Sequence, residues 1–105
     1  MSNFNNSLLN NIVGTFNTSV GSQALCVNVA SYNTALGAAA LRSNTTGNGN
    51  TAAGFSSLGS NTTGARNTAV GYYSSRANTV GTNNTSIGWG TMCCNTASNL
   101  SLIHI

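Results

Sequence analysis

The chain has 105 residues, 40% of them apolar, and three arginines are its only charged side chains at neutral pH. This length fits one small domain, and the complete absence of Asp and Glu excludes paired-carboxylate hydrolysis and carboxylate cages for Ca²⁺ or Mg²⁺. Three scattered arginines do not form the dense basic stripe that nucleic acid requires, so no nucleic-acid partner is expected.

The N-terminal segment, residues 1–7, carries no basic region followed by an apolar run, so no secretory signal is visible. No later stretch approaches the roughly 20 apolar residues that cross a bilayer, so no membrane span is expected. We treat residues 1–7 as an N-terminal edge segment, residues 8–98 as a repeat domain, and residues 99–105 as a C-terminal strand or assembly segment.

An Asn-Thr-small-aliphatic-Gly box recurs in an almost unbroken 17-residue register along the repeat domain. A short fixed period is typical of a solenoid, in which no unit can bury a face alone and neighbours stack to build a continuous core. The flanking Asn and Gly are predicted to supply turns, because Gly accepts positive φ and Asn tolerates it. These predicted turn residues are Asn17, Gly21, Asn33, Gly37, Asn50, Gly54, Asn67, Gly71, Asn84 and Gly88.

A second Asn-led box lies half a period away, at residues 11–14, 28–31, 44–47, 61–64, 78–81 and 95–98. Both boxes alternate with a period of two residues, which predicts two short strands per coil. One residue is missing between the boxes near Ser31 and Tyr32, a slip that a turn could absorb. Gly, Asn, Ser and Thr also dominate disordered tails, but a disordered tail has no reason to hold such a register.

Aligning the periods places like residues in columns, as a solenoid requires, because each side chain stacks on its counterpart one coil away. Two aliphatic columns are predicted to line the interior. The first contains Val20, Leu36, Val70 and Ile87, and the second contains Leu25, Leu41, Leu58 and Met92. An aromatic ladder is formed by Phe55, Tyr72 and Trp89.

Residues that could carry chemistry are few. His104 is the single histidine and has no partner in view, and neither a ligand nor a base works without neighbours that orient it. Cys26, Cys93 and Cys94 show no metal-ligand spacing and are interpreted as small buried apolar residues, with a bridge between subunits as the alternative. The sequence therefore predicts a protein that is not an enzyme and uses no cofactor or metal.

The Asn-Thr-Ala-Val-Gly box resembles the head repeats of trimeric autotransporter adhesins, the YadA-like family. It resembles even more the longer repeats, with a second Asn-Thr-Thr-Gly box, of phage tail-fibre and large-virus surface proteins. This resemblance spans residues 8–98. It implies a left-handed parallel β-roll whose three chains pack into a trimeric rod. The 17-residue period and the lack of a visible signal peptide, coiled-coil stalk or membrane anchor depart from the autotransporter pattern and favour a viral, phage or filament component.

We therefore expect an all-β fold, a parallel β-solenoid of the left-handed β-roll type, with about six 17-residue coils, two short strands per coil and trimeric assembly. The expected role is a rigid rod or filament on a virion surface or extracellular appendage, serving attachment. The expected partner is a homo-oligomer, either a trimer or an end-to-end filament. Candidate assembly residues are Leu102, Ile103, Ile105, Phe55, Tyr72 and Trp89.

Surface binding, to glycans or a host surface as an adhesin head or to ice, is the alternative function. Stacking of sugars on the aromatic ladder would serve the first, and regular threonine ladders on a charge-poor face would serve the second. One threonine ladder contains Thr18, Thr34, Thr51, Thr68 and Thr85, and the other contains Thr45, Thr62, Thr79 and Thr96. N-glycosylation sequons also occur at Asn5, Asn17, Asn44, Asn61, Asn83, Asn84 and Asn99.

Overall fold

The fold is a parallel β-solenoid, as the repeat predicts. The computed structural model describes residues 14–94 and 96–103, and this part of the chain contains strands and turns but no helix. One six-stranded parallel sheet has its strands in chain order, and the Cα extents of the solenoid are 33 × 20 × 17 Å. The strands are β1 Thr18–Val20, β2 Thr34–Leu36, β3 Thr51–Ala53, β4 Thr68–Val70, β5 Thr85–Ile87 and β6 Ser101–Ile103.

Each strand pairs in register with the equivalent strand of the next coil. Thr51 lies opposite Thr68 and Ala52 opposite Ala69, so identical residues stack along the axis. Backbone hydrogen bonds join successive coils, as from the Thr51 N–H to the Asn67 carbonyl at 2.8 Å. The β-branched threonines at the start of β1 to β5 suit an extended conformation. Six strands with five steps between them make about five coils in the described part, where the repeat count predicted about six.

The prediction of two strands per coil is wrong for the described residues, because the second box does not form a strand. In the coil between β2 and β3, the N–H groups of Thr45, Thr46 and Gly47 all point at the Thr62 carbonyl oxygen, at 3.0, 3.2 and 3.3 Å. Successive N–H groups of an extended strand point in alternate directions, so three that converge on one acceptor require a bent backbone. The second box therefore forms a stacked corner of each coil.

Small residues and leucine make up the apolar core. The middle residue of β2, β3 and β4 is a fully buried alanine, and the burial patterns of β1 to β5 place the residues on either side of the middle one outside the core. Leu25, Leu41 and Leu58 are also fully buried, which confirms this column at those positions, whereas Met92 is half-buried.

The prediction that the column of Val20, Leu36, Val70 and Ile87 lines the interior is wrong, because these residues lie on the outer side of the sheet. Strand alternation allows only one side of a three-residue strand to face inward, and alanine or serine occupies that side. The exposed fractions are 44% for Val20, 43% for Leu36, 38% for Val70 and 38% for Ile87.

The prediction that the leading asparagines are turn residues is wrong. They are links between coils, and most of them are buried. Asn50 is fully buried, and its Oδ1 accepts a hydrogen bond from the N–H of Asn67 in the next coil at 3.0 Å. Its Nδ2 donates to the carbonyl of Gly64 at 2.8 Å. The same pair of bonds recurs at Asn33, Asn67 and Asn84, and also at Asn17, which is half-buried.

A second asparagine ladder runs through the second boxes. The Nδ2 of Asn61 donates to the Oδ1 of Asn44 at 2.7 Å, and the Nδ2 of Asn78 donates to the Oδ1 of Asn61 at 2.8 Å. The amide of Asn61 also donates to the Gly64 carbonyl of its own corner at 3.0 Å. Within residues 14–94 and 96–103, no buried side-chain nitrogen or oxygen lacks a hydrogen-bond partner. The polar core thus avoids the cost of buried polar groups that lack a partner.

The glycine that closes each strand is a turn residue, as predicted. Gly21, Gly37, Gly54, Gly71 and Gly88 all have φ of 126–127°, a region that is costly for residues with a Cβ. Space is also lacking, because a Cβ on Gly54 would lie 2.6 Å from the Gly71 carbonyl oxygen. Conformation and close stacking therefore both require glycine at this position.

Two coils are one residue short, and both keep the strand register. In the coil between β1 and β2, the missing residue is in the second box. The Ala30 carbonyl accepts a hydrogen bond from the side chain of Asn17 there, just as the Gly47 carbonyl accepts one from Asn33 in the next coil. The second short coil leads to β6, with Leu100 in the position of a leading asparagine. The predicted C-terminal segment therefore contributes a strand to the same sheet.

A prediction follows for the strand-closing glycine. Replacing Gly54 with Ala adds both the backbone strain of this φ, about 1–3 kcal/mol, and a clash with the next coil, so we expect a loss of more than about 2 kcal/mol of unfolding free energy. Chemical denaturation of the variant measures it. Gly49→Ala is the control, because its φ of 70° also strains an alanine but the nearest atom would lie 3.6 Å from the added Cβ, so the clash is absent. Equal losses in the two variants would contradict this explanation.

A second prediction concerns Asn50→Asp. The carboxylate would lose the donor that binds the Gly64 carbonyl, and burial raises the pKa of the new Asp above its unfolded value of about 3.9. A protonated carboxyl can still donate, so destabilisation is small below about pH 4 and grows as pH rises through the folded pKa, reaching about 3–5 kcal/mol.

Urea denaturation across a pH series measures this effect. Asn48→Asp is the matched control, because Asn48 is exposed and its Oδ1 only accepts a hydrogen bond, from the Ser31 N–H. A pH profile of Asn50→Asp that matches the control would refute the buried-ladder explanation.

Candidate interaction surface

The described residues offer surfaces rather than a cavity. No pocket is found among them, and residues 14–94 and 96–103 contain no group of three or more His, Cys, Asp or Glu side chains that could hold a metal ion. This part of the chain also contains no helix that could span a membrane. The surface of the described part consists of the outward side chains of the coils.

The outer side of the sheet forms one face, which we call the sheet face. It carries two parallel rows, and adjacent members of a row are about 4.8 Å apart along the axis, the spacing of paired strands. None of its side chains is charged. The threonine row contains Thr18, Thr34, Thr51, Thr68 and Thr85, and the aliphatic row contains Val20, Leu36, Ala53, Val70 and Ile87.

The two threonine ladders differ in what their hydroxyl groups do. In the second boxes, the hydroxyl of Thr45 donates to the Thr62 carbonyl at 3.1 Å and that of Thr62 to the Thr79 carbonyl at 3.2 Å. The five hydroxyls of the sheet face have no such internal bond within the described part of the chain. The hydroxyls of Thr45 and Thr62 are thus engaged within the solenoid, whereas those of the sheet face can bind outside partners.

The aromatic ladder lies just beyond the strand-closing glycines and is exposed. Tyr72 stacks on Phe55 with ring centroids 5.5 Å apart and on Trp89 with centroids 5.8 Å apart, at interplanar angles of 16° and 7°. Both faces of the central ring are thus covered by neighbours. A sugar ring that needs an open aromatic face cannot stack at Tyr72, which disfavours the glycan platform at the centre of this ladder.

A second aromatic pair escaped the sequence reasoning. Phe16 and Tyr32, one residue before each leading asparagine, stack at 5.2 Å with an interplanar angle of 8° and are 75% and 63% exposed. Their 16-residue spacing equals the length of the short coil, so the sequence already placed the two rings at the same position in successive coils. The same column continues as Arg66, whose Nε donates to the Oδ1 of Asn83 at 2.8 Å.

The arginines and Tyr73 lie outside the sheet face. Arg76 places its guanidinium 4.7 Å from the ring centroid of Tyr73, a cation–π contact. Tyr73 in turn raises the pKa of the Tyr72 hydroxyl, chiefly through a side-chain hydrogen bond. All three arginines are exposed, so the positive charge of the chain is distributed around the sheet face and not on it.

The remaining assembly candidates lie at the end of the stack. Leu102 and Ile103 belong to β6 and are 48% and 61% exposed, and Ile103 extends the aliphatic row of the sheet face. Ile105 and His104 lie outside the described residues. Through its pairing with β5, Ser101–Ile103 forms the last strand of the described stack.

Most of the sequons lie at asparagines that the fold uses. Asn44, Asn61 and Asn84 are buried and hydrogen-bonded in the ladders, so a glycan on their side chains is incompatible with this fold. Asn83 and Asn99 are exposed. Asn5 lies outside the described residues.

Comparison of the chain with protein-family models, with curated proteins and with solved structures finds no match. The resemblance to adhesin heads and viral or phage fibres therefore stays a prediction that the fold alone does not test.

Proposed function

We propose that this chain is a non-enzymatic structural module, a rigid rod or filament segment of a viral or phage fibre or a cell-surface appendage that serves attachment. The observation that carries the proposal is the unbroken register, with six strands in five parallel pairs and asparagine ladders that join every coil to the next. Such stacking fixes length and cross-section without any catalytic group. An extracellular or virion-surface location accompanies this role.

The proposed partner is a further copy of the same chain, bound through the sheet face. The aliphatic row leaves about two fifths of Val20 and Leu36 exposed, at 44% and 43%. A continuous apolar row on a protein surface marks an interaction site. Because the face carries no charge, an identical face can cover it without burying an unpaired ion, whose desolvation would oppose association. A trimeric rod would use the regular spacing of these rows, whereas an end-to-end filament would pair the strand edges at the two ends of the stack.

Sedimentation of the purified chain tests the assembly. We expect a trimer of the 10.6 kDa chain, and we expect Val70→Arg to shift it to monomers, because a guanidinium placed in the aliphatic row would be buried without a partner. Circular dichroism checks that the variant keeps its β structure. Filaments seen by electron microscopy would support the end-to-end form.

Val80→Arg is the matched control, because Val80 is 60% exposed but belongs to a second box. It should leave the assembly unchanged. A wild-type chain that stays monomeric at high concentration would refute assembly through the sheet face, and equal disruption by both variants would place the interface elsewhere.

Ice binding is the second candidate, and the free hydroxyls of the sheet face favour it. Five threonines repeat at strand spacing on an uncharged face, and aliphatic side chains stand beside them. A regular array of methyl and hydroxyl groups can order water at the same spacing. This function requires the sheet face to be open, so it competes with assembly through that face.

Thermal hysteresis of a dilute solution tests ice binding. If the sheet face binds ice, Thr51→Tyr should abolish most of the hysteresis, because a bulky ring at the middle of the row prevents close contact with a flat lattice. Thr63→Tyr is the control, since Thr63 is also exposed but lies in a second box. The absence of hysteresis in the wild-type chain would eliminate this candidate.

A further inference from the structure

Two thiols meet at one corner of the last complete coil. Cys93 and Cys94 are adjacent in sequence, and their sulfur atoms are 3.2 Å apart. The prediction that they are buried is wrong, because both are exposed. Neighbouring side chains of an extended strand point to opposite sides, so this proximity requires the turn in which the pair lies. The arrangement is therefore a property of the coil and not of sequence adjacency alone.

The backbone of this corner is held on two sides. The Cys93 N–H donates to the Gly90 carbonyl at 3.2 Å within the turn, and the Cys93 carbonyl accepts from the Ala77 N–H of the preceding coil at 3.1 Å. These bonds fix the first cysteine relative to the stack. A ligand that needs both sulfurs would thus find them already close, which lowers the entropic cost of binding.

The charges around the pair come from Arg76, which stands one coil below Cys93 and contacts Tyr73. Its positive charge acts to lower the pKa of the Cys93 thiol, but the hydrogen bond with Cys94 prevails and raises it. The Cys93 thiol is therefore less readily ionised, and the favoured ligand is one that condenses with thiols and releases their protons in water.

We propose that Cys93 and Cys94 form a chelating vicinal dithiol that binds one trivalent, thiophilic metalloid centre through both sulfurs. Within the described residues no third His, Cys, Asp or Glu joins the pair, so the four-ligand shell that zinc prefers is incomplete. Soft thiol ligands favour soft centres, and a pyramidal arsenic(III) centre accepts two adjacent sulfurs. With an organoarsenic oxide, two As–S bonds replace the As=O bond, and the oxygen leaves as water with the two thiol protons.

The third cysteine is an internal reference. Cys26 lies four coils away, is half-buried, and donates its thiol to the Arg42 carbonyl at 3.5 Å. It has no thiol neighbour among the described residues. A reagent that needs two sulfurs should therefore leave Cys26 unchanged.

Titration of the reduced full chain with phenylarsine oxide tests the site. One equivalent should block two of the three thiols against a chromogenic disulfide reagent, and intact mass should show one adduct on a monomeric chain. Cys93→Ser and Cys94→Ser should each weaken binding by about 10²–10⁴-fold, the effective-concentration gain of a second ligand on the same chain. Cys26→Ser should bind as the wild type does.

Three outcomes would overturn the proposal. These are three reactive thiols remaining after one equivalent, single-cysteine variants that bind as tightly as the wild type, or an adduct that requires Cys26 and links two chains. Because both cysteines are exposed, circular dichroism of the serine variants should be unchanged, so a loss of binding reports the site and not the fold.

Discussion

The exchange of hydrogen bonds by the leading asparagines is the constraint on which the structure depends. Each amide accepts from the main chain of the next coil with its oxygen and donates to a corner carbonyl of that coil with its nitrogen, as Asn50 does toward Asn67 and Gly64. One side chain thus fixes both the start of a strand and the position of the opposite corner. Removing it would leave a donor and an acceptor buried without partners, at a cost of about 1–3 kcal/mol each.

The core that results is narrow and largely polar. Alanine or serine lines the strand, leucine fills one side, and asparagine fills the rest, so few large apolar side chains are buried. The apolar contribution to folding is correspondingly small for a chain of this length. Cooperative, fully satisfied hydrogen bonding between coils makes up the difference. The larger aliphatic residues are displaced to the outer side of the sheet, where they are available for contacts with other molecules.

Much of this fold could be predicted from the sequence because the period itself encodes the stacking. The strands, the strand-closing glycines and the Leu25, Leu41 and Leu58 column follow from spacing and residue type. Which side of each strand faces the core could not be predicted in this way. A Thr-Ala-Val strand has an apolar residue on each side, and the usual rule assigns the larger one to the core. The strand alanines instead share one buried cluster with Leu25, Leu41 and Leu58, so the interior side of the strand holds the small residue. Stacking of Phe16 on Tyr32 was not predicted, although each residue lies one position before a leading asparagine.

The short coils have a consequence for how such a rod varies. The second-box corner loses a residue at Ala30 while the flanking strands stay aligned, since the carbonyl that receives the asparagine amide is supplied from a neighbouring position. The number of residues in one coil can therefore change without a change in the spacing between coils. The length of the solenoid, by contrast, changes only by whole repeats. Duplication of a repeat would then lengthen the solenoid in uniform increments, and insertions at the corner would change its surface while the strands stay aligned.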